Sequence, residues 1–161
     1  MDTTFLIDAT AEKLLQLRHT VAVAESVTAG MLQSAFASAT NAMRFFQGGI
    51  TAYNIGQKCR HLLIEPVHAQ EVNCVSAKVA QQMAVGACWM FRSDWGIGIT
   101  GYASPVPESE QKTFAWFAIA RGEKIIETLM LELPGEDPEL VRLWYVQKTM
   151  ETFVQALSRA R

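Results

Sequence analysis

Basic residues are in short supply. Fourteen Lys and Arg stand against 16 Asp and Glu, for a formal net charge of −2 over 161 residues. Nucleic acid and anionic membrane surfaces are gripped through basic patches, so neither is expected as a partner. Cysteine is sparse too. Cys59, Cys74 and Cys88 are odd in number and show no C-x-x-C spacing, which argues against a zinc or redox site and for reduced thiols in a cytoplasmic protein. No apolar run approaches the length of a membrane span, and the N-terminus lacks the order of a signal peptide. Repeats, low-complexity tracts and Gly/Ser linkers are absent. A Walker-type glycine loop and a His/Cys cluster are missing as well, so no metal and no cofactor are expected.

What the chain does have is apolar content. Half of its residues are hydrophobic, enough at this length for one core, and a single domain over residues 1–161 is expected. Residues 3–18 carry Phe5, Leu6, Ala9, Leu14 and Leu17 at helical spacing, which predicts an opening amphipathic helix. Residues 20–25 read as a short β-branched strand, and Met31, Leu32, Ala35 and Phe36 as a helix lasting to the Asn41 region. Gly48-Gly49 reads as a break before a second strand over 50–54. A turn of helix and a loop then lead to Pro66. Ser76 is placed as the cap of a long helix, residues 95–100 form a third strand, and 113–120 with 124–131 form a hairpin around Arg121-Gly122-Glu123. The stretch from Glu139 to Leu157 reads as a closing helix.

Strand, helix, strand, helix, strand followed by a hairpin predicts an α/β fold: a three-layer sandwich with a mixed, mainly parallel sheet, crossover helices and an antiparallel hairpin. Ligands in such sheets bind beyond the carboxyl ends of the strands. Those ends carry Ser26 and Thr28, then Tyr53 and Lys58, then Thr100. Ser26 has two readings. It can cap the following helix, or it can be a nucleophile beside free helix-start N–H groups, in which case it needs a base. His19, His61 and His68 are poorly placed for that. Lys58 can serve if burial or a neighbouring cation depresses its pKa, and is otherwise a solvated surface charge.

The segment AESVTAG (24–30) resembles the A-E-S-C-T-G-G pattern of the CinA C-terminal domain family. FFQGGITAYNIGQK, NCVSAKVAQQMAVGA, GIGITGYASP and PGEDPELVR are similar to further blocks of that family in the same order. Members include nicotinamide-nucleotide amidohydrolases, so the resemblance implies deamidation of nicotinamide mononucleotide by a metal-independent Ser/Lys mechanism. By motif position Ser26 is implied as nucleophile, Lys58 as base and Tyr53 as the residue that orients Lys58. Thr28, Gly30, Gly48, Gly49, Thr100, Gly101 and Arg142 are implied around the nucleotide substrate, Arg142 at its phosphate. Departures from the pattern occur at Val27, Ala29, Tyr102 and Ser104, and residues 106–110 replace a glycine-rich loop with Val-Pro-Glu-Ser-Glu. A second reading follows from them: an inactive relative that keeps the fold and binds a nucleotide-like ligand or a protein partner. The apolar composition and the open hairpin edge are compatible with a homodimer.

Overall fold

The computed structural model describes residues 3–135 and 137–161; Glu136, within the PGEDPELVR block, lies outside them. The elements in chain order are α1 (Thr3–Leu17), β1 (Val21–Glu25), α2 (Met31–Ala37), β2 (Phe46–Thr51), α3 (Ile55–Leu62), α4 (Pro66–Glu71), α5 (Ala77–Phe91), β3 (Trp95–Gly101), β4 (Phe114–Arg121), β5 (Lys124–Glu132) and α6 (Pro138–Arg159). Five strands form one mixed sheet in the order β2-β1-β3-β4-β5. β1 pairs in parallel with both of its neighbours, and β3, β4 and β5 run antiparallel to one another in turn.

The two faces of the sheet differ in side-chain size. Val21, Val23, Trp95, Ile97, Ile99, Phe117 and Ile119 point to one face, where they pack against Leu14 of α1, Phe36 of α2 and Tyr145, Met150 and Phe153 of α6. Alternate positions put Ala22, Ala24, Ala118 and Ala120 on the other face, against α3, α4 and α5. Gly96 and Gly98 share that face. A Cβ on Gly98 would lie 2.5 Å from the Ala80 carbonyl oxygen and 2.5 Å from the Ala84 nitrogen, so α5 touches the strand backbone directly. Strand alternation thus sorts bulky from small residues, and the small side admits a closely packed helix.

Three local features differ from the sequence pattern. β2 runs Phe46–Thr51 rather than 50–54, and Gly48-Gly49 lies inside it instead of ending what precedes. A register shift beside Val21 and Ala22 passes through this stretch, where Gly48 has φ of 125°. Gly49 is close-packed, since a Cβ there would meet Gln33 at 2.5 Å. The segment expected as loop at Pro66 forms α4, whose first amides are held by the Glu65 side chain, which accepts from Val67 and His68. Finally, Ser26 is not a helix cap. α2 starts at Met31 behind Gly30 at φ 99°, and the intervening residues turn through Ala29 N–H to Ser26 carbonyl.

The connection from β1 to β2 crosses one face through α2, and that from β2 to β3 crosses the other through α3, α4 and α5. The two successive connections therefore run in opposite directions across the sheet, opening a crevice at the carboxyl ends of β1 and β3. Gly98→Ala should destabilise the protein by about 2–3 kcal/mol through overpacking of α5 on β3. Gly56→Ala, whose added Cβ meets nothing nearer than Asn54 Oδ1 at 3.5 Å, should change stability by less than about 0.5 kcal/mol. Denaturant titration of the two variants makes the comparison.

Candidate active site

The end of β1 carries Ser26 one residue past the strand. Its backbone N–H donates to the Ile99 carbonyl at 3.0 Å, which continues the β1–β3 ladder and fixes the residue against the sheet. From the other side of β1, Ala52 N–H donates to the Glu25 carbonyl, and the chain then enters α3 with Asn54 accepting from Gln57 N–H as its cap. That geometry turns Lys58 inward. Its side chain is 2% exposed, and Nζ lies 3.0 Å from Ser26 Oγ, itself 7% exposed. Two residues separated by 32 positions in sequence are thus joined in a buried hydrogen bond.

No carboxylate stands within ion-pair distance of Lys58 among the described residues. Burial removes the water that would stabilise an ammonium, and this lowers the amine's pKa below its ordinary value. The nearby Cys74 and Cys59 thiols work in the opposite direction but do not cancel the effect. Burial also pushes the Cys74 thiol up, so it is a poor competitor as a nucleophile. When Lys58 is charged, Nζ donates to Ser26. When it is neutral, its lone pair lies on the same axis and can take the serine proton.

These residues open onto a cavity of about 540 Å³, within the size range of small-molecule sites. Tyr53, Asn73, Cys74, Thr100, Gly101, Tyr102 and Arg142 are among the residues on its wall. Tyr53 is 66% exposed and forms no hydrogen bond with Lys58 among the described residues, so burial and Ser26 set the amine's orientation. Thr100 Oγ1 is committed to the Cys74 carbonyl at 2.7 Å. Gly101 packs against Ala115, where a Cβ would approach to 2.5 Å. Arg142 reaches in from α6, and its Nε donates to the Val27 carbonyl at 3.1 Å. Its guanidinium has no carboxylate partner among the described residues.

Four residues from the sequence reading are not brought to this cavity. Thr28 is fully buried, with its hydroxyl donated to Glu25 Oε1 at 2.7 Å. Gly30 is the left-handed residue before α2. Gly48 faces the Phe91 ring and Gly49 lies beneath Gln33. The helix-start amides expected to be free are occupied as well, because Leu32 and Gln33 N–H both donate to the Glu25 carboxylate. Free amides do exist in the turn before α2: among the described residues, Val27 and Thr28 N–H have no protein acceptor. Sequence reasoning missed Glu25, although a lone acidic residue closing an apolar strand was the available signal. Among the described residues, no three His, Cys, Asp or Glu side chains converge as a metal-binding group.

Comparison with known proteins gives a consistent picture. Residues 3–157 match the family model described as CinA C-terminal domain. A "CinA-like protein" of Picosynechococcus is 44% identical over 108 residues, covering 66% of this chain and 26% of that protein. Protein MG115 of Mycoplasma genitalium is 37% identical over 150 residues, covering 92% of this chain and 95% of that protein. Among solved structures, a competence-damaged protein (CinA) superfamily protein of Klebsiella pneumoniae superposes with a TM-score of 0.92 at 26% identity, covering 98% of this chain and 99% of that one. An Escherichia coli member gives a TM-score of 0.90 at 28% identity, over 96% and 90% of the two chains. The match spans only 26% and 32% of the length of two CinA-like relatives.

The linkage for Lys58 has a definite sign. Its folded pKa is depressed, so between that value and the ordinary one the unfolded chain binds more protons, and stability rises with pH across this window. Below the folded pKa the full penalty of a buried ammonium remains. Lys58→Met should therefore be more stable than wild type at neutral pH, by on the order of 1–2 kcal/mol. Ser26 faces the cavity and keeps water as a partner in that variant. The gain should shrink as pH approaches the ordinary lysine range, as urea titrations of both proteins across pH would show.

Proposed function

The chain belongs to the CinA C-terminal domain family, and from that premise we propose that it is a serine amidohydrolase acting on the carboxamide of a small nucleotide. Nicotinamide mononucleotide is the substrate implied by the family resemblance. One observation carries the reading: a buried lysine, with a lowered pKa and no carboxylate partner, in direct contact with a serine on a cavity wall.

In the reaction, neutral Lys58 takes the Ser26 proton as Oγ attacks the carboxamide carbon. The tetrahedral oxyanion is met by the free amide of Val27 on the cavity wall, which the turn holds ready for developing charge. Collapse breaks the C–N bond, Lys58 returns the proton to the departing nitrogen, and ammonia leaves an acyl ester on Ser26. Water then attacks the ester with Lys58 again as base, releasing the carboxylic acid and restoring the serine. The unpaired Arg142 guanidinium supplies a cation for the substrate phosphate.

A second reading, ligand binding without turnover, draws on one feature of the wall. Tyr102 is pinned by Asn73 Nδ2 at 3.0 Å and by an edge contact with Phe114 at 5.4 Å, so its ring stands fixed at the cavity. Such a wall offers a rigid aromatic face to a nucleotide-like ligand. Turnover separates the two readings. Purified protein should release ammonia and nicotinate mononucleotide from nicotinamide mononucleotide. Ser26→Ala and Lys58→Ala should each lower kcat by at least about 10³-fold, while Arg142→Ala should act mainly on KM. Because the Lys58 pKa is lowered, kcat/KM should rise with pH to a plateau reached below the ordinary lysine range. Unchanged substrate at high protein concentration would exclude this activity.

A further inference from the structure

Glu25 is the most deeply buried acid in the described residues that the mechanism above leaves unused: it is 0% exposed and lies next to the nucleophile in sequence. Both of its oxygens act as acceptors. Oε1 receives Thr28 Oγ1 at 2.7 Å and Leu32 N–H at 2.8 Å. Oε2 receives Gln33 N–H at 3.0 Å and Gln33 Nε2 at 2.9 Å. A Glu at the end of a strand therefore grips the first turn of the helix that follows, and Ser26 and Val27 lie between the two points of grip.

The turn needs that grip. Ala29 has φ of 50° and Gly30 of 99°, so two successive residues are left-handed, and the first is an alanine for which that region is unfavourable. With both oxygens filled by donors, the carboxylate satisfies amides that would otherwise be orphaned at a buried helix start. It also closes those amides to any substrate, leaving the Val27 N–H as the free donor on the cavity wall beside Ser26.

We propose that Glu25 is a positioning residue for Ser26: its carboxylate clamps the turn from both ends and holds the serine hydroxyl and the free Val27 amide in one fixed relation. The proposal rests on the serine hydrolase reading given above. The Gln isostere keeps the shape but must turn an NH₂ toward one set of donors, so the clamp loses half of its acceptors and sets donor against donor. The turn then shifts, and a displacement of about 1 Å at a reacting atom is enough for a 10²-fold loss of rate.

The test compares wild type, Glu25→Gln and Thr28→Val, each confirmed as folded by circular dichroism at the assay temperature. Two readouts are taken: steady-state deamidation of nicotinamide mononucleotide, and the rate at which an alkyl fluorophosphonate labels Ser26, located by peptide mass spectrometry. Glu25→Gln should lower kcat and labelling rate together by about 10²-fold with KM within about threefold of wild type. Thr28→Val, which deletes one of the four contacts, should show the same pattern at about tenfold. Should Glu25→Gln fail to fold, Thr28→Val decides alone. Labelling at the wild-type rate in a folded variant overturns the positioning role and leaves the hydrolase reading intact. A wild type that takes the label but leaves the nucleotide unchanged overturns the substrate assignment, and the labelling ratio still decides the role of Glu25. A wild type that takes no label overturns both, since a presented nucleophile is the premise of each.

Discussion

Burying a lysine without an opposing carboxylate costs folding free energy at any pH below the ordinary lysine pKa, whether the amine stays charged or gives up its proton, and at the Ser26–Lys58 contact this chain accepts that cost. The surroundings keep the arrangement in place. Asn54 caps α3 so that Lys58 faces inward, and the β1–β3 ladder extends one residue to fix Ser26. Arg142 and Glu25 hold the turn beyond it, one at the Val27 carbonyl and the other at the Leu32 and Gln33 amides. A solvated lysine would need none of this. Perturbed titratable groups kept in such detail are characteristic of reactive sites rather than of packing alone.

Sheet architecture explains why these groups can meet. β1 lies between two parallel neighbours, so residues just past β1, β2 and β3 emerge at one edge. Large side chains on one face and Ala or Gly on the other let α5 sit close to the sheet, and α3 and α4 pack beside it. The loop between α4 and α5 then reaches the same edge. Thr100 binds its Cys74 carbonyl and Tyr102 receives Asn73, which closes one wall of the cavity. Stability and site thus share their supports.

Much of this was legible in the sequence, since alternation in VAVAE and WGIGITG announces two-faced strands and the Ser76 cap marks α5. The edge where Ser26 and Lys58 meet followed from the alternation of strands and helices, which brings strand carboxyl ends together. Glycine was the main source of error. Gly48-Gly49 reads as a break, yet both residues sit in β2, where close packing against Phe91 and Gln33 requires the absence of a side chain. Composition cannot separate a glycine that ends a strand from one that admits a neighbour. Thr28 and Gly30 were placed at the ligand by their motif position in the family resemblance, whereas the turn directs Thr28 back to Glu25. That carboxylate escaped notice because two of its four partners are backbone amides, and these leave no trace in a sequence.

The most direct measurement is the titration of Lys58 itself. With ¹³C-labelled lysine and Lys58→Arg to assign its signal, the Cε resonance followed against pH reports the amine's protonation in the folded protein. The account predicts that this one lysine loses its proton well below the other lysines, and that Ser26→Ala perturbs its resonance while leaving the rest unmoved. A Lys58 that titrates with the bulk of the lysines, indifferent to the Ser26 hydroxyl, would contradict it.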